Sequence, residues 1–268
     1  ETLAEQVWPG HPLGRPILGT KRTVGRFRRQ DLASYFARVY HPANILIAAA
    51  GHLEHGAVGA MVGRHFAGLH RGRTPRNGHA PQTVTRTVTR SKKELEQVHV
   101  CLGARAYPQG HADRYACYVL NTVLGGSMSS RLFQNVREKR GLVYSISSGV
   151  TAYSDAGLLS IYAGTSLDSA PEVIRLTLEE IRRVRGELLG EEELRRAKDH
   201  IKGGLVLSLE SSGARMSHLA QQEIYFGRQF PVDEILGGIE AVSAEDVRRV
   251  AAEVFEGRLG ASVLGNLR

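Results

Sequence analysis

Residues Phe27–Gly51 (FRRQDLASYFARVYHPANILIAAAG) and Val242–Gly265 (VSAEDVRRVAAEVFEGRLGASVLG) lie in register at an offset of 215, the difference between 242 and 27. Asp31 meets Asp246, Leu32 meets Val247, Val39 meets Val254 and Tyr40 meets Phe255. Identity is weak, but the order agrees: a helical apolar stripe, a break, then a short strand ending on Gly51 or, with one residue deleted, on Gly265. A helix–strand unit carried twice reads as two related domains. Leu69–Gln82 (LHRGRTPRNGHAPQ), with Gly72, Pro75, Gly78, Pro81 and almost no apolar residue, reads as the linker between them. The second copy follows about 160 residues after that linker and the first follows only about 30, so domains of equal size would leave the first short by about 130 residues. The expected division is residues 1–70 as the C-terminal part of a first domain, 71–82 as linker and 83–268 as a complete second domain.

Local patterns set the fold class. Phe27–Tyr40 is expected to be a helix, Ile45–Ala50 a buried strand, and residues from about 57 to 66 a second helix. After the linker, Thr83–Thr89 and Gln97–Ala104 alternate as strands, and Asp113–Leu124 is a helix running into Gly125-Gly126-Ser127. Ser129 or Ser130 is expected to cap the next helix, which stops at Gly141. Leu142–Ala152 and Gly157–Thr165 form a hairpin across Tyr153–Ala156; a mainly helical stretch follows from Ala170, then a last strand at Leu259–Leu264. Strands in groups and helices in groups predict an α+β fold, a mostly antiparallel sheet packed on helices.

Composition narrows the function classes. The 42% hydrophobic content fills an ordinary core, and no apolar run approaches the roughly 20 residues that span a bilayer. Cys101 and Cys117, 16 apart, read as reduced thiols in a strand and a helix. The surplus of eight cations raises nucleic acid as a partner, but the arginines are scattered without interleaved aromatics, so a solvated basic surface is expected, with no nucleic acid and no membrane as partner. Nucleic-acid affinity, if present, would fall steeply with salt.

Chemistry is sought first in His52-Leu-Glu54-His55, which sets two histidines beside a glutamate. It is one residue short of His-x-x-Glu-His and follows a strand, so it is not read as a metal site. Gly125-Gly126-Ser127 lacks the Gly-Lys-Ser/Thr ending of a phosphate loop and reads as a tight turn, with substrate contact as a second role. Arg137 and Tyr144, seven apart in REKRGLVY, flank the Gly141 turn, which would bring a helix-borne arginine and a strand-borne tyrosine to one edge. Read by spacing alone they are a solvated arginine and a half-buried tyrosine.

Three segments, Trp8–Thr20 (WPGHPLGRPILGT), Tyr40–Gly51 (YHPANILIAAAG) and above all Leu124–Ser145 (LGGSMSSRLFQNVREKRGLVYS), resemble the insulinase, pitrilysin and mitochondrial processing peptidase family of zinc metallopeptidases, in its two-domain bacterial and mitochondrial-type branch. The resemblance implies two homologous domains of the processing-peptidase type, the first incomplete here. It implies a peptide-bond hydrolase whose first domain carries His-x-x-Glu-His, with zinc held by the histidines and a downstream glutamate, and with the neighbouring glutamate as base. None of the 11 histidines begins such a motif, so zinc belongs to the intact protein and no metal ligand is assigned in this chain. By the same resemblance Arg137 and Tyr144 are the catalytic and substrate-binding pair that holds the substrate carbonyl and backbone, with Gly125 and Gly126 as further substrate contacts. The implied partners are an extended peptide or unfolded polypeptide substrate, a missing N-terminal region or zinc-bearing partner subunit, and a second subunit in a dimer. A cytoplasmic location is the expectation. The alternative is a non-catalytic partner or structural subunit of a heteromeric peptidase-like complex.

Overall fold

The structure is a computed structural model that describes residues 2–70, 72 and 78–267. Much of the expected linker, residues 71 and 73–77, lies outside them. The chain forms two compact units: residues 1–15, 80–204 and 231–268, and residues 16–79 and 205–230.

The first unit is a five-stranded sheet with its main helices on one face and the short first helix on the other. Its first helix is α1 (Thr2–Val7), and its strands are β1 (Thr87–Ser91), β2 (Val98–Ala106), β3 (Val143–Ala152), β4 (Gly157–Thr165) and β5 (Gly260–Gly265), in the order β1-β5-β2-β4-β3. Three pairings are antiparallel and β1 pairs β5 in parallel, so the expected α+β class with a mostly antiparallel sheet is the observed one. The alternation read in β2 sorts as expected: Val98, Val100, Leu102, Ala104 and Ala106 are all buried. They pack against α5 (Arg114–Leu124), α6 (Ala170–Gly186) and α10 (Ala244–Val254), whose buried faces include Val119, Leu120, Val173, Val247 and Val250.

On the opposite face a smaller cluster joins Leu3, Val7 and Trp8 to Leu158. The Trp8 ring meets Tyr153 edge-on at 5.8 Å, and Val84 N donates to Val7 O at 2.8 Å, so α1 and Trp8 are fixed against this sheet. Cys117 is buried in α5, which pushes its thiol up to about 12; Cys101 on β2 is raised in the same direction, also by burial. Neither thiol is poised as a nucleophile.

Charges tie the start of α5 to α10. Arg249 holds Asp113 with two hydrogen bonds, 2.6 and 3.0 Å, and also reaches Asp246 at 3.2 Å. Asp246 closes a capping box with Ser243, its carboxylate accepting from Ser243 N at 3.1 Å while Ser243 Oγ accepts from Asp246 N at 3.1 Å. The Arg249 hydrogen bonds hold the Asp113 carboxyl below its ordinary range, and the Ser243 backbone hydrogen bond lowers Asp246. A carboxyl depressed in the folded state contributes stability above its unfolded pKa and loses it as pH falls through the folded value. The stability gap between wild type and Arg249→Met should therefore be flat above about pH 5 and narrow below about pH 4. Urea midpoints measured from pH 7 to 2.5 check this; a constant gap would contradict it.

The second unit holds α2 (Lys21–Val24), α3 (Arg29–Val39), a 3-10 turn at Pro42–Asn44, α4 (His55–Phe66) and α8 (Ser212–Phe226). α8 is capped by Ser211 and closed by Gly227 at φ +65°, a left-handed stop that glycine alone takes without strain. The buried strand expected at Ile45–Ala50 is not formed. Ile45 has extended backbone, but no described residue pairs with the segment as a strand, and Leu46 and Ile47 stand exposed. A strand needs a neighbour to satisfy its backbone, and apolar residues by themselves supply none.

Candidate functional site

The hairpin β3–β4 places β3 at one edge of the sheet, and Tyr144 sits near its start. The ladder to β4 runs from Val143 opposite Thr165 to Ser145 opposite Gly164, so Tyr144 is the extra residue of a β-bulge. A bulge re-aims the side chain it carries. Here that side chain is 79% exposed, and its hydroxyl has no hydrogen-bond partner among the described residues.

Arg137 lies in a second irregularity. Phe133–Glu138 is a π-helix, with Lys139 N donating to Gln134 O at 3.0 Å and Leu142 N to Val136 O at 3.1 Å. Gly141, at φ +62°, makes the left-handed turn back into β3. Arg137 is thereby brought to the bulge: its Nε donates to Tyr144 O at 3.1 Å, its Nη1 pairs with Glu138 at 2.7 Å, and its guanidinium lies 4.7 Å from the Phe133 ring centre. One edge of the guanidinium fixes the bulge carbonyl, while the side chain stays about 40% exposed.

Long-range contacts set the register of this π-helix. Arg131 makes a two-pronged pair with Glu193 at 2.7 Å each, and Asn135 Nδ2 donates to the buried Glu180 at 2.7 Å. The Asn135 carbonyl accepts from Arg140 at 2.7 Å, and its side-chain oxygen from Lys139 at 3.1 Å. These anchors hold the helix to α6 and α7 (Glu191–Ser208). The expected cap by Ser129 or Ser130 is not made. Ser130 Oγ is buried without a partner, and Gln134 Nε2 covers the turn by donating to Met128 O at 2.8 Å.

Gly125 allows a close approach between the end of α5 and β3, and Gly126 lets the chain turn tightly against α5 itself. A Cβ on Gly125 would lie 2.7 Å from Ser148 N, and one on Gly126 2.7 Å from Asn121 Nδ2. Ser148 N donates to Gly125 O at 2.9 Å, and its hydroxyl to Asn121 Oδ1 at 2.8 Å. The pair thus fixes β3 from behind.

His52 lies in a bend, Glu54 immediately precedes α4 and His55 opens it. Among the described residues no three His, Cys, Asp or Glu side chains gather as a metal would require, so the residues present do not fit a zinc ion. What the sequence missed are the bulge, the π-helix and the anchors Asn135, Glu180 and Glu193. The only trace of them is the compressed spacing from Arg137 through Gly141 to Tyr144.

The chain belongs to the M16 peptidase family: residues 26–201 match the Peptidase M16 inactive domain. It is 40% identical over 259 residues to an uncharacterized zinc protease of Mycobacterium bovis, covering 95% of this chain and 59% of that one. It is similar in fold to the peptidase M16 inactive domain from Pseudomonas fluorescens, with a TM-score of 0.90, 20% identity, and 98% of this chain and 64% of that chain covered. A chain of complex III2 from Candida albicans is similar at a TM-score of 0.87 and 20% identity, with 100% of this chain and 66% of that one covered. The chain therefore spans about three fifths of the length of its curated relative.

Proposed function

We propose that this chain is the substrate-holding part of a zinc metalloendopeptidase that cleaves peptides or unfolded polypeptide held extended in a chamber between two domains. In this reading residues 83–268 are the complete second domain and 1–70 the end of the first. The observation that supports it is the coincidence of a π-helix and a β-bulge at Arg137 and Tyr144, since such irregularities cluster where a side chain must be aimed for function.

The exposed phenol and the free edge of the guanidinium are donors. They can bind a substrate carbonyl and stabilise the negative charge that builds on its oxygen during hydrolysis. Gly125 and Gly126 support that edge and border the path of the substrate. Zinc, when bound by ligands outside this chain, supplies Lewis-acid activation of water; those ligands come from the rest of the polypeptide or from a partner subunit in a dimer. A cytoplasmic site of action goes with this reading.

The test compares the 268-residue chain with the full-length gene product on an unfolded casein substrate. Hydrolysis is expected from the full-length protein alone, lost with a chelator and restored by zinc. A full-length protein that contains zinc yet leaves the substrate intact would overturn the reading. The fold shared with a chain of complex III2 supports a second reading, a non-catalytic subunit, which that same inert result would favour.

A further inference from the structure

Three polar groups of Asn135 are engaged, two residues before Arg137 on the π-helix. Its Nδ2 donates to Glu180 Oε1 at 2.7 Å, its Oδ1 accepts from Lys139 Nζ at 3.1 Å, and its backbone carbonyl accepts from Arg140 Nη1 at 2.7 Å. The last of these follows from the wide winding. Lys139 N donates to Gln134 O, five residues back, where an α-helix would send it to Asn135 O, so the Asn135 carbonyl is left for a side chain. Arg140 supplies that side chain. Asn135 is thus the residue at which the helix departs from α-helical bonding.

The far end of the side-chain bond is buried. Glu180 stands on α6 with 5% of its surface exposed, between core residues Leu176 and Val184 of the same helix. Its Oε1 takes Asn135 Nδ2, with Arg183 Nη1 3.5 Å from the same oxygen, and its Oε2 is buried without a hydrogen-bond partner among the described residues. A buried carboxyl group with one oxygen unpaired costs free energy that an apolar side chain of like volume would not. Packing alone therefore gives no reason for a glutamate here. The wide turn gives one: over the six residues Phe133–Glu138 a π-helix winds about 100° less than an α-helix, the rotation of one α-helical residue. Alpha-helical winding would swing the Arg137 guanidinium away from Tyr144 O, to which its Nε now donates at 3.1 Å.

We propose that Asn135 and Glu180 are positioning residues for the Arg137–Tyr144 pair: their buried hydrogen bond keeps the helix π-wound and so keeps the guanidinium turned to the bulge and the substrate. Neither residue touches the substrate; both act through Arg137. The kinetic consequence rests on the catalytic reading given above, and the structural one rests on the hydrogen bonds alone.

Steady-state kinetics on the full-length gene product, with the nitrogen-15 signal of the Arg137 Nε–H group in the same protein, tests it. Glu180→Leu keeps the buried volume and removes the acceptor, and Asn135→Ala cuts the same link from its half-buried end, so one variant remains informative if the other does not fold. Each should lower kcat by about 10- to 100-fold and change KM by less than about twofold, as a misplaced transition-state donor does. Glu180→Gln keeps Oε1 as an acceptor and should return kcat to within about threefold of wild type. Added to Arg137→Ala, Glu180→Leu should lower kcat by less than about twofold, because the residue it positions is gone. The Arg137 Nε–H proton, held by Tyr144 O in wild type, should exchange with water about 10-fold faster in both variants. Unchanged Nε–H exchange, a rise in KM alone, no rescue by Glu180→Gln, an equal loss in the Arg137→Ala background, or failure of both variants to fold overturns the proposal. A wild-type protein that cleaves nothing overturns the catalytic reading instead, and Nε–H exchange then decides the positioning by itself.

Discussion

Arg137→Ala in the full-length protein is expected to lower kcat/KM for peptide cleavage by about 100- to 1,000-fold, the range for removing one donor to a developing oxyanion. Zinc content should not change, because Arg137 contacts Tyr144 O, Glu138 and the Phe133 ring, and no metal-binding group gathers among the described residues. Tyr144→Phe should cost less, about 10- to 100-fold, since it removes one hydroxyl and leaves the bulge carbonyl that Arg137 holds. The pattern matters more than either figure. A transition-state role lowers kcat in both variants, whereas a role confined to ground-state binding raises KM alone. Full activity in both variants, or loss of zinc in either, would remove the pair from the site.

The second large effect is on stability. Trp8 is 2% exposed and packs with Leu3, Val7 and Leu158 across the sheet. Trp8→Ala should cost about 3–5 kcal/mol, as removal of a large aromatic from a filled core does. Trp8→Phe should cost much less, because the indole N–H it discards is buried without a hydrogen-bond partner. Phe36→Ala in the 268-residue chain is the control, with a cost under about 1 kcal/mol for an exposed ring. Urea unfolding followed by far-ultraviolet circular dichroism separates the three. Equal costs for Trp8→Ala and Phe36→Ala would contradict the packing described for α1 and Trp8.

Much of the fold was legible because local pattern and tertiary environment agree. The alternation in β2, the β3–β4 hairpin and the amphipathic stripe of α10 each bury the face their period picks out. Ile45–Ala50 shows the limit of that logic: an apolar run states a demand for burial, and only a neighbouring strand can meet it. The capping serines show another limit, since Gln134 reaches Met128 O and leaves Ser130 without the role its residue type suggests.

At the site, Arg137 and Tyr144 were found as residues, and their geometry was not. The π-helix depends on Glu180 and Glu193, which stand 45 and 62 positions from the side chains they hold. No local window contains both partners. The glycines were seen as a turn, but the approach of Ser148 that requires Gly125 to be glycine comes from 23 residues downstream, the difference between 148 and 125.

The place of β5 has a consequence for the order in which the sheet can close. Among the described residues β1 is joined to the sheet only through β5, which follows it after more than 160 residues, from Ser91 to Gly260. β2, β3 and β4 can pair in succession, but until β5 arrives the flank of β2 stays open and β1 waits without a partner. Closure must therefore span a long loop, which slows it and leaves an aggregation-prone edge for chaperones to shield in the interval.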